Sequence, residues 1–249
     1  MRAQILVQNG FTLVETLVVI VVMGILIGTL VPAVASARAE STSAKCGVHM
    51  RSAGTLLSAY SVDYRDALPF GGFKLRSLEV PEIGKVGIGA RFGLGFGAWA
   101  FLFPEQWSGR DWNSALRCPL QPAYDGVSTI ESWEGVPTPM YDMASAVWLD
   151  EAAFAASRPI NFRESVQPHH LSDVAFPSMK GYLIENPGFC AKGAHTQHDI
   201  LSLRQTYVQP VSVLLFDGSV IRRAMKDMRG YRRGLPVITT EDGIRGRDL

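Results

Sequence analysis

Residues 9–33 read NGFTLVETLVVIVVMGILIGTLVPA. From Thr16 to Ala35 the chain carries no charge, and only Thr16, Gly24, Gly28, Thr29 and Pro32 interrupt its apolar run. A bilayer core needs roughly 20 such residues, so this segment is long enough to cross one. One carboxylate, Glu15, stands at the leading edge. An acid inside a membrane span costs about 2.5–3.5 kcal/mol at the bilayer centre and less near the end, and such a residue marks a function by default.

Three readings account for this terminus. The first is a secretory signal, with Arg2 as a thin basic region and A-x-A cleavage sites at Ala33-Val34-Ala35 and Ala35-Ser36-Ala37. The apolar run is longer than such signals use, and Glu15 sits inside it. The second is a plain membrane anchor, which explains the length and leaves Glu15 without a role. The third places a cut between Gly10 and Phe11, removing a leader at 1–10 and keeping the apolar helix.

Gly10-Phe11-Thr12-Leu13-Val14-Glu15 resembles the processing site of type IV prepilins and type II secretion pseudopilins. The resemblance implies that a prepilin peptidase cuts after Gly10 and N-methylates Phe11. It also implies that Glu15, the fifth mature residue, is the assembly acid. Glu15 of an incoming subunit then pairs with the terminal amine of a neighbour in a filament. A carboxylate in an apolar medium is strongly drawn to a cation, which supports that role. Pro32 falls at mature position twenty-two, where many type IV pilins carry a helix-kinking proline. The leader departs from the family pattern. It has Val7-Gln8-Asn9 where a lysine or arginine usually precedes the glycine, and Arg2 is its one basic side chain.

Beyond Pro32 the helix is expected to continue to about Asp66. Cys46, Met50, Ala53, Leu57, Tyr60 and Tyr64 recur at alternating spacings of four and three, one apolar helical face. Arg51, Ser52, Ser58 and Arg65 lie off that face, and Pro69 ends the pattern. Such a stripe needs a partner layer, which a globular domain supplies. The expected organisation is a leader at 1–10, a transmembrane helix at 11–35, its amphipathic continuation at 36–68 and a globular domain at 69–249.

Later motifs resemble a subgroup of pseudopilin-like proteins found in Planctomycetes and their relatives. Cys46 to Pro69 is similar to that subgroup's cysteine and helix ending in tyrosine, with His49-Met50 where it has asparagine-leucine. Leu116-Arg117-Cys118-Pro119 resembles its cysteine-proline step. Leu215-Phe216-Asp217-Gly218-Ser219-Val220 resembles its carboxy-terminal motif, histidine, nine residues, then aspartate-glycine. The histidine position is Tyr207 here, and His195 and His198 come too early in the chain to fill it.

Gly181–Glu185 and residues 211–216 read as strands. Asp217-Gly218 before Ser219-Val220-Ile221 signals a hairpin with a type I′ turn, in which both central residues need positive φ. Ser145 to Ala156 reads as a helix inside an insertion spanning 113–175. Gly87, Gly89, Gly93, Gly95 and Gly97 do not make a phosphate loop, because no Lys-Ser/Thr follows them. In the Trp/Gly-rich stretch 84–112, Trp99, Phe101, Phe103, Trp107 and Trp112 belong in a core more readily than on a ligand surface.

Charged residues make up 19% of the chain, hydrophobic residues 47%, and net charge is +1. That balance favours a packed core over disorder and gives no field for nucleic acid. Arg222, Arg223, Lys226, Arg229, Arg232 and Arg233 form a local basic run, with Asp227, Glu241 and Asp242 near it, and read as a solvated surface. Cys46, Cys118 and Cys190 form no CxxC pair, which excludes a zinc ribbon. In an exported domain, two of the three suit one disulfide. His169-His170 and His195-x-x-His198-Asp199 lack a third ligand at fixed spacing, and no dense acidic loop surrounds Asp217 for calcium. No metal, cofactor or catalytic set is expected.

The resulting expectation is an α+β pilin-like subunit, its long amino-terminal helix packed on an antiparallel β-sheet, and not an enzyme. Its partners would be prepilin peptidase, other pilin or pseudopilin subunits, the inner-membrane assembly platform and the bilayer. It would span the bacterial cytoplasmic membrane once, with a cytoplasmic amino terminus and a periplasmic or extracellular domain. The competing expectation is an anchored or secreted binding module that enters no filament.

Overall fold

A computed structural model describes residues 12–70, 77–80, 84–87, 99, 103, 141–151, 167–185, 210–229 and 243–249. The chain divides into two compact units, Met1–Ala44 and Lys45–Leu249.

Helix α1 spans Leu13–Asp63. Within the first unit its apolar side chains face outward, with Ile20 63% and Leu26 61% exposed. Apolar all round and covered by nothing in its own unit, it suits lipid or other helices. Pro32 lies inside the helix. It has no N–H for the Gly28 carbonyl four residues back, and its ring crowds that carbonyl.

In the second unit α1 follows the alternating pattern. Cys46, Met50, Ala53 and Leu57 are buried, while Arg51, Ser52, Ser58 and Arg65 are exposed. Tyr60 is half-buried and Tyr64 is exposed, the two rings stacking at 4.3 Å. The stripe therefore leaves the core one turn before the sequence pattern ends.

The helix also ends before Asp66 and Pro69. Arg65 and Asp66 take left-handed φ values of 56° and 70°. The Asp66 N–H donates back to the Ser61 carbonyl at 2.7 Å, the long bond of a Schellman-type cap. That cap normally wants glycine, so something must hold a non-glycine pair there. Asp66 is pinned from outside the helix: Leu171 N–H donates to its carbonyl at 2.8 Å and Ser172 N–H to its carboxylate at 3.0 Å. The Ser172 side chain and then its N–H favour the charged form, holding the Asp66 carboxyl below its ordinary range.

Six strands are described. A two-stranded antiparallel ribbon pairs β1 (Ser77–Val80) with β2 (Gly84–Gly87). The main sheet is an antiparallel meander of β3 (Tyr141–Met143), β4 (Gly181–Glu185), β5 (Pro210–Leu215) and β6 (Val220–Ala224), neighbouring in that order. The α+β class expected from sequence holds, with one long amino-terminal apolar helix beside a four-stranded antiparallel sheet.

The helix meets the sheet through small residues. A Cβ on Gly54 would lie 2.9 Å from a Leu214 methyl, and one on Gly47 would lie 3.9 Å from Val220. Leu214 pairs with Leu183 on one side and Val220 on the other, so these three side chains share the helix-facing surface. Met50, Ala53, Leu57, Leu183, Ile184, Val213 and Leu214 belong to one continuous core. Trp99 and Phe103 join that core, and Trp99 Nε1 donates to the Tyr141 carbonyl at 2.8 Å.

Two local expectations are corrected. Ser145–Val147 is one 3-10 turn followed by a turn at Trp148 and a bridge residue at Leu149, not the start of an α-helix. Residues 145–149 are all buried, an all-round burial that an amphipathic helix pattern does not describe. The hairpin at Asp217-Gly218 exists, but only Gly218 has positive φ, at 84°. Leu215 N–H donates to Ser219 C=O at 2.8 Å and Gly218 N–H to Leu215 C=O at 3.0 Å. This is a three-residue loop closed by a left-handed glycine, not a two-residue type I′ turn.

Candidate functional site

The cleavage expectation at Gly10 and Phe11 lies outside the described residues, which begin immediately after it at Thr12. Thr12 caps α1. The Glu15 N–H donates to Thr12 Oγ1 at 3.3 Å, while Thr12 N–H donates to Glu15 Oε2 at 2.8 Å. These two bonds form a reciprocal capping box, which satisfies two amides that a helix start otherwise leaves bare. The Thr12 hydroxyl donates its own proton to the same Oε2, also at 2.8 Å.

The acid is thus the third residue of a helix rather than an isolated charge. A negative group there also faces the positive end of the helix dipole. Its sequence signal is Thr12-x-x-Glu15 before an apolar run, a pattern independent of the membrane reading of Glu15. Further along, Thr16 Oγ1 donates to the Leu13 carbonyl at 2.9 Å and Thr29 Oγ1 to the Leu26 carbonyl at 3.0 Å. Hydroxyls bonded within their own helix are compatible with a lipid environment.

The hairpin motif is split. Asp217 and Gly218 form the tip between β5 and β6, and Tyr207 lies outside the described residues. The Asp217 Oδ1 accepts both the Ser219 N–H at 2.9 Å and the Ser219 hydroxyl at 2.6 Å. Its Oδ1 therefore fixes the turn. Asp217 N–H donates to the Pro177 carbonyl at 3.2 Å and Phe216 N–H to the Lys180 carbonyl at 3.1 Å, seating the tip on the segment before β4.

His169 is buried, its Nε2 3.0 Å from the Leu149 carbonyl oxygen and its Nδ1 3.7 Å from Asp173. His170 is exposed, and its N–H donates to the Asp173 carboxylate at 2.8 Å. Both residues meet the Asp173 carboxylate, His169 through its ring and His170 through its backbone N–H, an arrangement of local bonds rather than a metal-ligand set. Among the described residues no three metal-ligating side chains come together. His195, His198, Cys118 and Cys190 lie outside the described residues, while Cys46 is buried on the inner face of α1.

One constellation had no sequence signal. Lys180 and Asp248 are fully buried with Nζ 3.3 Å from Oδ1, and Asp248 Oδ2 accepts the Gly181 N–H at 2.8 Å. The pair fastens residues 243–249 to the start of β4, beside the hairpin tip. Their separation in sequence, 68 residues, hides it from any local pattern.

Residues 6–31 match the family model described as the prokaryotic N-terminal methylation motif. No curated protein and no solved structure matches the chain. The matched span covers the Gly10-Phe11 step, the Thr12–Glu15 turn and most of the apolar run that ends at Ala35. Together with the helix, long and apolar enough to cross a bilayer, the motif supports a membrane-anchored protein of the type IV prepilin and pseudopilin kind, processed by prepilin peptidase.

Proposed function

We propose that this chain is a structural filament subunit. A prepilin peptidase cuts it after Gly10 and methylates Phe11. The helix at 11–35 then holds it laterally in the bacterial cytoplasmic membrane, with its globular domain outside. A type II secretion or type IV pilus-like assembly platform draws it into a helical filament. Apolar packing of α1 against its copies replaces contact with lipid, Glu15 sets the axial register, and Pro32 gives the helix its bend. The hairpin at Asp217-Gly218 resembles the carboxy-terminal signature of a pseudopilin-like subgroup, with Tyr207 standing where that signature has histidine.

The observation carrying this reading is the methylation motif at 6–31, laid on a helix whose apolar side chains are exposed all round. Lipid tails are as apolar as leucine, so exchange of lipid for neighbouring helices is driven by packing and polar pairing. The alternative, a binding module using the Trp-rich stretch, loses support at Trp99 and Phe103, which are built into the core.

Mass spectrometry of the mature amino terminus tests the processing step. N-methyl-Phe11 is the expected terminus. One at Ser36 or Arg38 would mean a released soluble protein, and an intact Met1 a static anchor. Assembly is tested with Glu15→Ala, which should still be cut and inserted but be absent from filaments. Normal incorporation of that variant would sink the register role.

A further inference from the structure

We propose that the exposed cations on and beside β6 form a surface for the anionic phospholipid headgroups of the bilayer that α1 enters. The inference rests on membrane anchoring and not on filament assembly. Arg222 and Arg223 on β6, Lys226 and Arg229 just after it, and Arg247 near the carboxy terminus are exposed. None of the five has a carboxylate at ion-pair distance among the described residues, whereas Arg245 meets Glu151 at 3.4 Å. The backbone joins the two segments, since the Arg229 N–H donates to the Asp248 carbonyl at 2.7 Å. Asp217 and Asp227 are the exposed acids in these segments, so cations outnumber them.

The cationic groups remain open to an outside partner. Arg222 Nε donates to the Pro210 carbonyl at 3.4 Å, which leaves its Nη groups. Arg247 lies 3.9 Å over the Phe176 ring, and a stacked guanidinium keeps its N–H edge for phosphate. β6 has β5 on one side and no described strand on the other. Charges on an edge strand block pairing with another chain, which accounts for Arg222 and Arg223 alone. Lys226, Arg229 and Arg247 lie off the strand and need another reason.

The length of the tether selects lipid as the partner. A Cβ on Gly47 would lie against Val220 of β6, and one on Gly54 against Leu214 of β5, so α1 reaches β6 first. Gly47 follows the end of the apolar run at Ala35 by twelve residues, about 18 Å of helix. The headgroup layer takes up about 5–8 Å of that length. A long cationic side chain and one Debye length, about 8 Å at physiological salt, span the remainder.

Phenylglyoxal footprinting of the full chain in nanodiscs tests this, with mass spectrometry reading each arginine. In discs containing phosphatidylglycerol, Arg222, Arg223, Arg229 and Arg247 should react about fivefold more slowly than in phosphatidylcholine discs. Arg65, exposed beyond the end of α1, should react alike in both. Salt at about 1 M shortens the Debye length to about 3 Å and should remove the protection. Arg222→Gln combined with Arg223→Gln and Lys226→Gln should remove it from Arg229 and Arg247. Equal rates in the two lipids overturn the proposal, as does protection that persists in the triple variant. Protection by mixed-sequence duplex DNA in phosphatidylcholine discs, without any by phosphatidylglycerol, would make this a nucleic-acid surface and overturn it too. A chain that does not enter the discs refutes the anchoring itself, and the proposal falls with it.

Discussion

Replacing Asp248 by alanine should destabilise the globular unit by about 4 kcal/mol. Lys180 and Asp248 have no exposed side-chain surface and sit 3.3 Å apart. Breaking a buried ion pair by removing one member costs about 3–5 kcal/mol, because the remaining charge stays out of water. Asp248 also accepts the Gly181 N–H at 2.8 Å, and an orphaned buried amide costs about 1–3 kcal/mol. The two losses share one carboxylate, so they overlap rather than add. The backbone of Asp248 would still bond to Met179 and Arg229, which keeps the segment near its place. Urea unfolding of the detergent-solubilised chain, followed by fluorescence of the buried Trp99 and Trp148, is the assay. With a slope of about 2 kcal/mol per molar, the midpoint should fall by about 2 M. Lys180→Met should behave similarly, while Lys180→Met with Asp248→Leu should recover most of the loss, since an apolar pair of similar volume is often tolerated. A loss below about 1 kcal/mol in the single variants, or a double variant worse than either, would refute the reasoning.

The helix cap gives a pH prediction. Because the Asp66 carboxyl is held below its ordinary value of 3.8, its stabilising contribution is complete above that value. It is lost as pH falls through the lower folded value. Asp66→Asn should remove this acid dependence, and amide exchange at Asp66 and Ala67 between pH 5 and pH 2 reads it. Tyr182 offers an opposite test: its buried hydroxyl has no hydrogen-bond partner among the described residues, while its ring stacks on Phe216 at 4.2 Å. Tyr182→Phe keeps the stack and removes the stranded hydroxyl, so it should be neutral or raise stability by about 1 kcal/mol. A drop of that size in a thermal melt would show that the hydroxyl is satisfied.

Local chemistry made much of this molecule legible. The buried side of α1 was readable because a 3.6-residue period forces Cys46, Met50, Ala53 and Leu57 onto one face. Residues 181–185 and 211–215 were readable as strands because β-rich runs stood between breakers. The Asp217-Gly218 turn was readable for the same reason, though not its type. The turn type depends on where the ladder resumes, and here it closes between Leu215 and Ser219. Strand β3 was missed: Tyr141–Met143 is only three residues long, and its central Asp142 is buried with its neighbours.

Sequence alone determined the amino-terminal segment. A methylation motif, a threonine and an acid one turn apart, and an apolar run of membrane length lie within one short stretch, and each is read from near neighbours. Tertiary structure decided the rest. The helix stops at Asp63 because residues 171 and 172 pin Asp66, which with Arg65 takes the left-handed conformation usually left to glycine. Lys180 is buried because Asp248, remote in the chain, arrives to meet its charge. A charge or a left-handed residue is costly until a distant partner compensates it, and no local pattern records which partner that is.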